Sequence, residues 1–416
     1  MSKLPKVLQA LFRLIFIDQI YLTATFPLIT LIFFDTNSHL FPTTTTTAVR
    51  SFYFGICVAL PNAINLCCAP LLGLLSDHWG RKKILCMEIT GAVAYAYLVG
   101  IGILLHSVTY VFFAFALRGA FARTNPTALA IVGDVADKNA KVYYMGMLQF
   151  AISLGAMIGP IIGGYGAKSL FFNDYNYALP FFIAGCLALL NLILTILTLP
   201  ETHHHRTTSL HWRGLQELIH NKNIILLAII LLSIQFSWSN YYQFMPPILK
   251  LNFQFTAHQL GWFIGMVAAW LAITTGLIIK PLALRCSMQQ MLSLACYLII
   301  IGLITTILAI KFAVLSDKII WIAAAPIAAG DVLSYSCLTA LLSNSVAQHK
   351  QGKAMGLSFL IVGLVWASTS FLGGILMKHN PLLPLYISPI GVLFAIFLIK
   401  HPISRKTTEP QPIAVL

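Results

Sequence analysis

The sequence predicts an all-α integral membrane protein of twelve transmembrane helices, arranged as two related six-helix halves, on three observations. Of its 416 residues 58% are hydrophobic and 9% charged, with a mean hydropathy of +0.84, whereas roughly a quarter of residues in soluble domains are charged. Apolar stretches of about 20 residues, the length that crosses a bilayer, recur about twelve times. A pair of motifs also returns at a constant offset. Met145-Gly146 and Gly163-Gly164 reappear 210 residues later as Met355-Gly356 and Gly373-Gly374, as expected of duplicated bundles.

The spans are placed at 14–34, 52–75, 84–106, 109–132, 143–167, 178–199, 223–247, 258–280, 288–311, 319–342, 353–377 and 383–400. The segment 201–222 is the longest and most polar connection. It separates an N-terminal half, 1–200, from a C-terminal half, 223–400, with 401–416 as a tail. An even number of spans puts both termini on one side. Eighteen of the 26 Lys and Arg residues fall on that side and six on the other, so the positive-inside rule makes both termini cytoplasmic. The net charge of +14 is mostly this orientation signal and does not indicate nucleic-acid binding. The first span is too long for a signal-peptide core and lacks a cleavage site, so it is expected to remain as a helix. All eight cysteines lie in or beside spans without metal-ligand spacing. His203, His204 and His205 read as a solvated loop, and no cofactor or metal is expected.

Within span five, Gly155, Gly159 and Gly163 recur every fourth residue. They form a stripe on which a neighbouring backbone can approach closely, with Gly164 beside it. Pro160 removes one helical N–H and is expected to bend the helix there. A charged side chain at mid-bilayer costs about 2.5–3.5 kcal/mol on insertion scales and persists where it meets a partner or water. Asp331 lies near the middle of span ten, and Arg118 and Arg123 near the middle of span four. Asp18 sits in span one within about a turn of Arg13. Arg118 and Arg123 are five residues apart and cannot share a face. Glu88 reads as a charge at the start of span three. In span seven Gln235, Trp238 and Tyr242 share a face, with Asn240 and Tyr241 adjacent. This is an aromatic wall with amides, suited to a planar or amphipathic ligand; a belt at the membrane interface is the alternative. Asn62 and Asn65 of span two are either ligand groups or helix-to-helix hydrogen bonds.

After span two comes Gly73-Leu-Leu-Ser-Asp77-His78-Trp79-Gly80-Arg81-Lys82-Lys83, which resembles the loop signature of the major facilitator superfamily. Asp18 followed by Pro27, the glycine–proline pattern of span five and the ending Pro200-Glu201-Thr202 are similar to the tetracycline-efflux-like drug:proton antiporters. The resemblance implies two pseudo-symmetric six-helix bundles, the major facilitator fold, that rock about a central cavity. It places Asp77 against the start of span eleven, near Gly352, and pairs Arg81 with Asp134. The chain departs from the pattern in two places. His78 stands where a basic residue is usual, and the fourth-span arginine motif is displaced, with Gly119 directly after Arg118.

What the resemblance implies is a monomeric, multi-pass transporter in the lipid bilayer, in the cytoplasmic (inner) membrane if the protein is bacterial. It would export a small organic molecule in exchange for protons and would not be an enzyme. Asp18, Asp331, Arg118 and Arg123 are the candidates for proton coupling. Import by proton symport of a nutrient or siderophore is the alternative, and a non-transporting sensor is another. No glycine loop followed by Lys-Ser/Thr is present to bind a nucleotide.

Overall fold

The computed structural model describes residues 6–121, 124–136, 140–167, 176–202, 221–312, 316–346 and 351–400. Arg123, His203 to His205 and the tail lie outside them. The described elements are helical. Among them eleven helices are long and apolar enough to cross a membrane. Two further helices, α5 (Val108–Phe121) and α6 (Thr124–Val135), occupy the sequence of predicted span four.

The first span is split. α1 (Lys6–Ala24) ends at Thr25, and α2 (Phe26–Phe34) restarts with Pro27 in its first turn, where a proline's missing N–H costs nothing. α3 (Thr47–Trp79) is followed at Gly80 by α4 (Arg81–Leu104). α7 (Lys141–Gly166) runs unbroken through Pro160, and α8 (Leu179–Thr198) completes the first six spans. α8 exposes Leu190, Ile193, Ile196 and Leu197. Such a stripe suits acyl chains, since a helix in lipid needs no polar outer face.

By internal contacts, α1 to α8 group with Pro246–Ala269. The rest of the chain from Trp270 groups with the helix leading up to Met245. In the first unit α7 lies between two neighbours. A Cβ on Gly155 would sit 2.6 Å from the Gln19 Cβ and 2.8 Å from the Phe16 carbonyl oxygen, and Gly159 and Gly163 likewise abut the α1 backbone at Ile20 and Ala24. Gly164 faces the other way, against Ala257 and His258. The stripe thus carries the α1 contact, while Gly146 has nothing within 4 Å. Toward the N-terminal side of Asp18, Leu8, Leu11, Leu85, Ile89, Ile131 and Leu148 fill a core between α1, α4, α6 and α7.

The second unit is built on the first part of α9 (Lys222–Phe253), the latter part of α10 (Ala257–Ala283), α11 (Met288–Phe312), α12 (Ser316–Asn344), α13 (Gln351–His379) and α14 (Leu383–Lys400). α13 repeats α7 and lies on α9 as α7 lies on α1. The chemistry of the two contacts differs. Where α7 has Gly159 and Pro160, α13 has Thr369 and Ser370, which hydrogen-bond with Gln243 and Ser239 of α9. Gly373, the counterpart of Gly163, abuts the Phe244 ring instead of a backbone. One half of the duplication therefore joins its helix pair by backbone proximity, the other by a polar seam.

Within the first unit, Asp35 just past α2 pairs with Lys250 at 2.5 Å. Burial alone would raise the Asp35 carboxyl, but the Lys250 ammonium, the Asn37 N–H and the Tyr177 hydroxyl outweigh it and hold it below the ordinary carboxylate value. A carboxyl lowered in this way adds stability above its unfolded-state pKa and loses that stability as pH falls through its folded value. Acid is therefore expected to weaken this contact, and Asp35→Asn to remove that part of the acid sensitivity. Thermal unfolding scans from neutral to acidic pH check this; parent and variant curves with the same acid limb would contradict it.

Candidate functional site

Asp18 is fully buried in the middle of the first unit. It accepts a hydrogen bond from the Tyr21 hydroxyl one turn on, from Thr124 Oγ1 of α6 at 2.7 Å and from Gln19 Nε2 at 3.2 Å. Gln19 also reaches Asn125 Oδ1 at 3.1 Å. Arg13, five residues earlier in the chain, has an exposed side chain that bonds the Gln9 carbonyl of its own helix. Asp18, Gln19, Thr23, Glu88, Arg118, Thr124 and Asn125 line a cavity of about 220 Å3, which is room for several waters at about 30 Å3 each.

Arg118 faces this cavity, and among the described residues it forms no ion pair. Its Nη1 donates to the Tyr95 hydroxyl at 3.3 Å, and its guanidinium lies 5.0 Å from the centre of that ring, an aromatic face that favours a cation. Gly119, directly after it, allows α5 to touch the α3 backbone at Pro61, and Asn65 Nδ2 donates to the Gly119 carbonyl at 3.4 Å. Asn62 bonds Val58 of its own helix. Only the Asn65 bond joins two helices. Glu88 corrects the sequence reading. It is no helix-end charge but is 1% exposed inside the bundle, where Thr127 Oγ1 donates to it at 2.9 Å.

At one end of the unit the basic loop is ordered by three acids. Arg81 contacts Asp77 at 2.6 Å and Asp134 at 3.1 Å. Glu201 accepts from the backbone N–H groups of Arg81 and Lys82 at 2.8 and 3.2 Å, a carboxylate at the helix terminus whose dipole favours it. Gly80 has φ 101°, and a side chain there would collide with Glu201, so the loop needs glycine on both counts. Lys82 Nζ donates to the Ile196 carbonyl at 2.7 Å, tying the loop to α8. Gly73 lies inside α3. Sequence reasoning had noted Glu201 as the end of a motif and not as the cap of another helix, 120 residues away in the chain.

In the second unit Gln235 Nε2 donates to Asp331 Oδ1 at 2.9 Å, and Trp366 Nε1 reaches Gln235 Oε1 at 3.4 Å. Trp238 stacks on Tyr242 with centroids 5.1 Å apart, and Tyr242 lies 5.8 Å from Trp366. The aromatic face predicted from Gln235, Trp238 and Tyr242 is present, with Trp366 added from α13. Tyr241 is 1% exposed, with its ring centroid 6.1 Å from that of Trp238, and Asn240 bonds the Phe236 carbonyl of its own turn. Trp366 was missed because no helical spacing connects α9 with α13. Among the described residues no group of His, Cys, Asp and Glu is placed to hold a metal.

Bilayer-length helices enclosing buried acids, an arginine and a polar cavity define a multi-pass membrane transporter. The chain belongs to the Major Facilitator Superfamily, whose family model matches residues 11–369. It is 25% identical over 365 residues to the tetracycline resistance protein, class B, of Escherichia coli, covering 83% of this chain and 84% of that protein. It is 26% identical over 348 residues to multidrug resistance protein 1 of Bacillus subtilis (strain 168), covering 83% and 85%. A solved D-xylose-proton symporter shares the fold, with a TM-score of 0.72 and 15% identity over 95% of this chain and 98% of that one. Transporters of this superfamily move small molecules across membranes, and the chain is not an enzyme.

Proposed function

We propose that this transporter exports a small organic compound in exchange for protons, with Asp18 as the group that carries the proton and Arg118 as its neighbour in the same cavity. The observation that carries this reading is the seating of the glycine stripe. Gly155 abuts Phe16 and Gln19, and Gly159 abuts Ile20, so the antiporter-like helix α7 rests on the turns of α1 that bear Asp18. A change in the charge of Asp18 is thereby linked to the position of α7. The full-length relatives named for tetracycline and multidrug resistance support an export role. Two six-span halves joined by 201–222 would alternate access, with both termini cytoplasmic and the monomer as the working unit. Gln235, Trp238 and Tyr242 would meet the compound.

The test is reconstitution into proteoliposomes with an interior pH dye and a panel of compounds that includes tetracycline. Protons moving opposite to the compound are expected. Movement of both in the same direction would replace export with symport.

A further inference from the structure

We propose that Asp331 and the aromatic rings beside Gln235 bind an organic cation with a flat apolar body, and that compounds of this class are what the transporter carries; the proposal rests on the reading above that Gln235, Trp238 and Tyr242 meet the compound. Asp331 and Trp366 lie at the middle of α12 and α13, and Gln235 lies near the middle of α9. One amide joins them. Trp366 Nε1 donates to Gln235 Oε1 at 3.4 Å, which turns the other end of the amide, Nε2, toward Asp331 Oδ1, 2.9 Å away. Among the described residues no second side chain donates to this acid.

A carboxylate at this depth is costly unless a positive charge or water meets it, and the helices around it bring no such charge. Every Lys, Arg and His on α9 to α14 stands in the first or last turn of its helix. Asp331 is about four turns from either end of α12. The positive partner therefore has to arrive from outside the chain. The aromatic groups favour the same occupant. Trp238 stacks on Tyr242 at 5.1 Å, and Tyr242 lies 5.8 Å from Trp366. Ring faces attract a cation and also cover the flat apolar part of a ligand. Tyr242 and Trp366 are half-buried and Asp331 keeps 7% of its surface accessible, so the cluster is not sealed by its own packing. A neutral compound would leave the charge of Asp331 unmet, and an anion would be repelled by it.

The test is equilibrium binding to the full-length protein in lipid nanodiscs, in mildly alkaline buffer and with binding to empty nanodiscs subtracted. Three probes share one three-ring body and differ in charge: N-methylacridinium is a cation, acridine is neutral and anthracene-9-carboxylate is an anion. The cation is expected to bind at least about tenfold more tightly than the neutral compound, and the anion more weakly than either. Asp331→Asn is expected to remove this preference and Asp331→Glu to retain it. Trp366→Leu is expected to weaken the binding of the cation and the neutral compound together. Equal affinity for cation and neutral compound in the parent overturns the proposal, as does an absence of binding by all three. A preference for the cation that survives in Asp331→Asn also overturns it and leaves Asp331 to the proton. Should Asp331→Asn fail to fold, the comparison of the three probes in the parent still decides. Binding does not depend on the direction of transport, so protons that move together with the compound in the pH-dye assay would overturn export alone.

Discussion

Asp18→Asn is expected to abolish pH-driven transport while leaving a folded protein. Asparagine has the shape of the acid but cannot gain or lose the proton. Its amide can be accommodated, because two of the three donors around Asp18 are the hydroxyls of Tyr21 and Thr124, which turn from donor to acceptor at little cost. The unfavourable new contact is the Gln19 amide, which already has Asn125 as a second acceptor. The effect on coupling is large. Exchange of one proton supports about tenfold accumulation per unit of pH difference, equivalent to about 1.4 kcal/mol. The variant should fall to the passive level in the proteoliposome assay while retaining downhill movement of the compound. Asp331→Asn serves as the comparison. If the gradient still drives the Asp18 variant and no longer drives the Asp331 variant, the coupling group belongs to the second unit.

Gly163→Val should be the most damaging small substitution in the helices. A side chain there would enter the backbone of α1 at Ala24, and a main chain cannot yield as a flexible side chain does. Over-packing in well-packed interiors costs about 1–3 kcal/mol, and a backbone obstacle puts this case at the upper end, about 3 kcal/mol. Relief would require α1 and α7 to separate, and that would move Phe16 and Gln19 beside Asp18. Loss of the monodisperse peak on heating should therefore begin at a lower temperature than in the parent, and pH-driven transport should fall with it. Gly146→Val is the control, since nothing lies within 4 Å of a Cβ there. Equal heat resistance of the two variants would show that the stripe is not the contact.

Much of the fold was legible because lipid leaves few choices. A bilayer forces every backbone polar group to be satisfied within the helix, so runs of apolar residues of the right length are helices crossing it. The Arg81–Asp134 contact could be anticipated from the loop motif, and the stripe of Gly155, Gly159 and Gly163 from its spacing. Helical spacing also placed Gln235, Trp238 and Tyr242 on one face. Glu88 was misread because hydropathy reports depth along a helix only coarsely, and Glu88 stands only five residues after the charged Arg81-Lys82-Lys83 run. Tyr241 and Tyr242 are neighbours in sequence, yet a single helical step of about 100° separates a buried ring from one that stacks on Trp238.

The sequence by itself determined the membrane class, the twelve spans, the duplication and the superfamily, because each follows from periodicity, composition or a contiguous motif. Only the tertiary structure decided which side chains meet. It set Thr124 and Thr127 against two different acids, Glu201 against the start of α4, Trp366 beside Gln235, and α1 rather than another helix against the glycine stripe. These pairings join residues up to 139 positions apart, as Gly163 and Ala24 are. They depend on how helices rotate about their own axes when they pack, and no local pattern in the chain carries that angle.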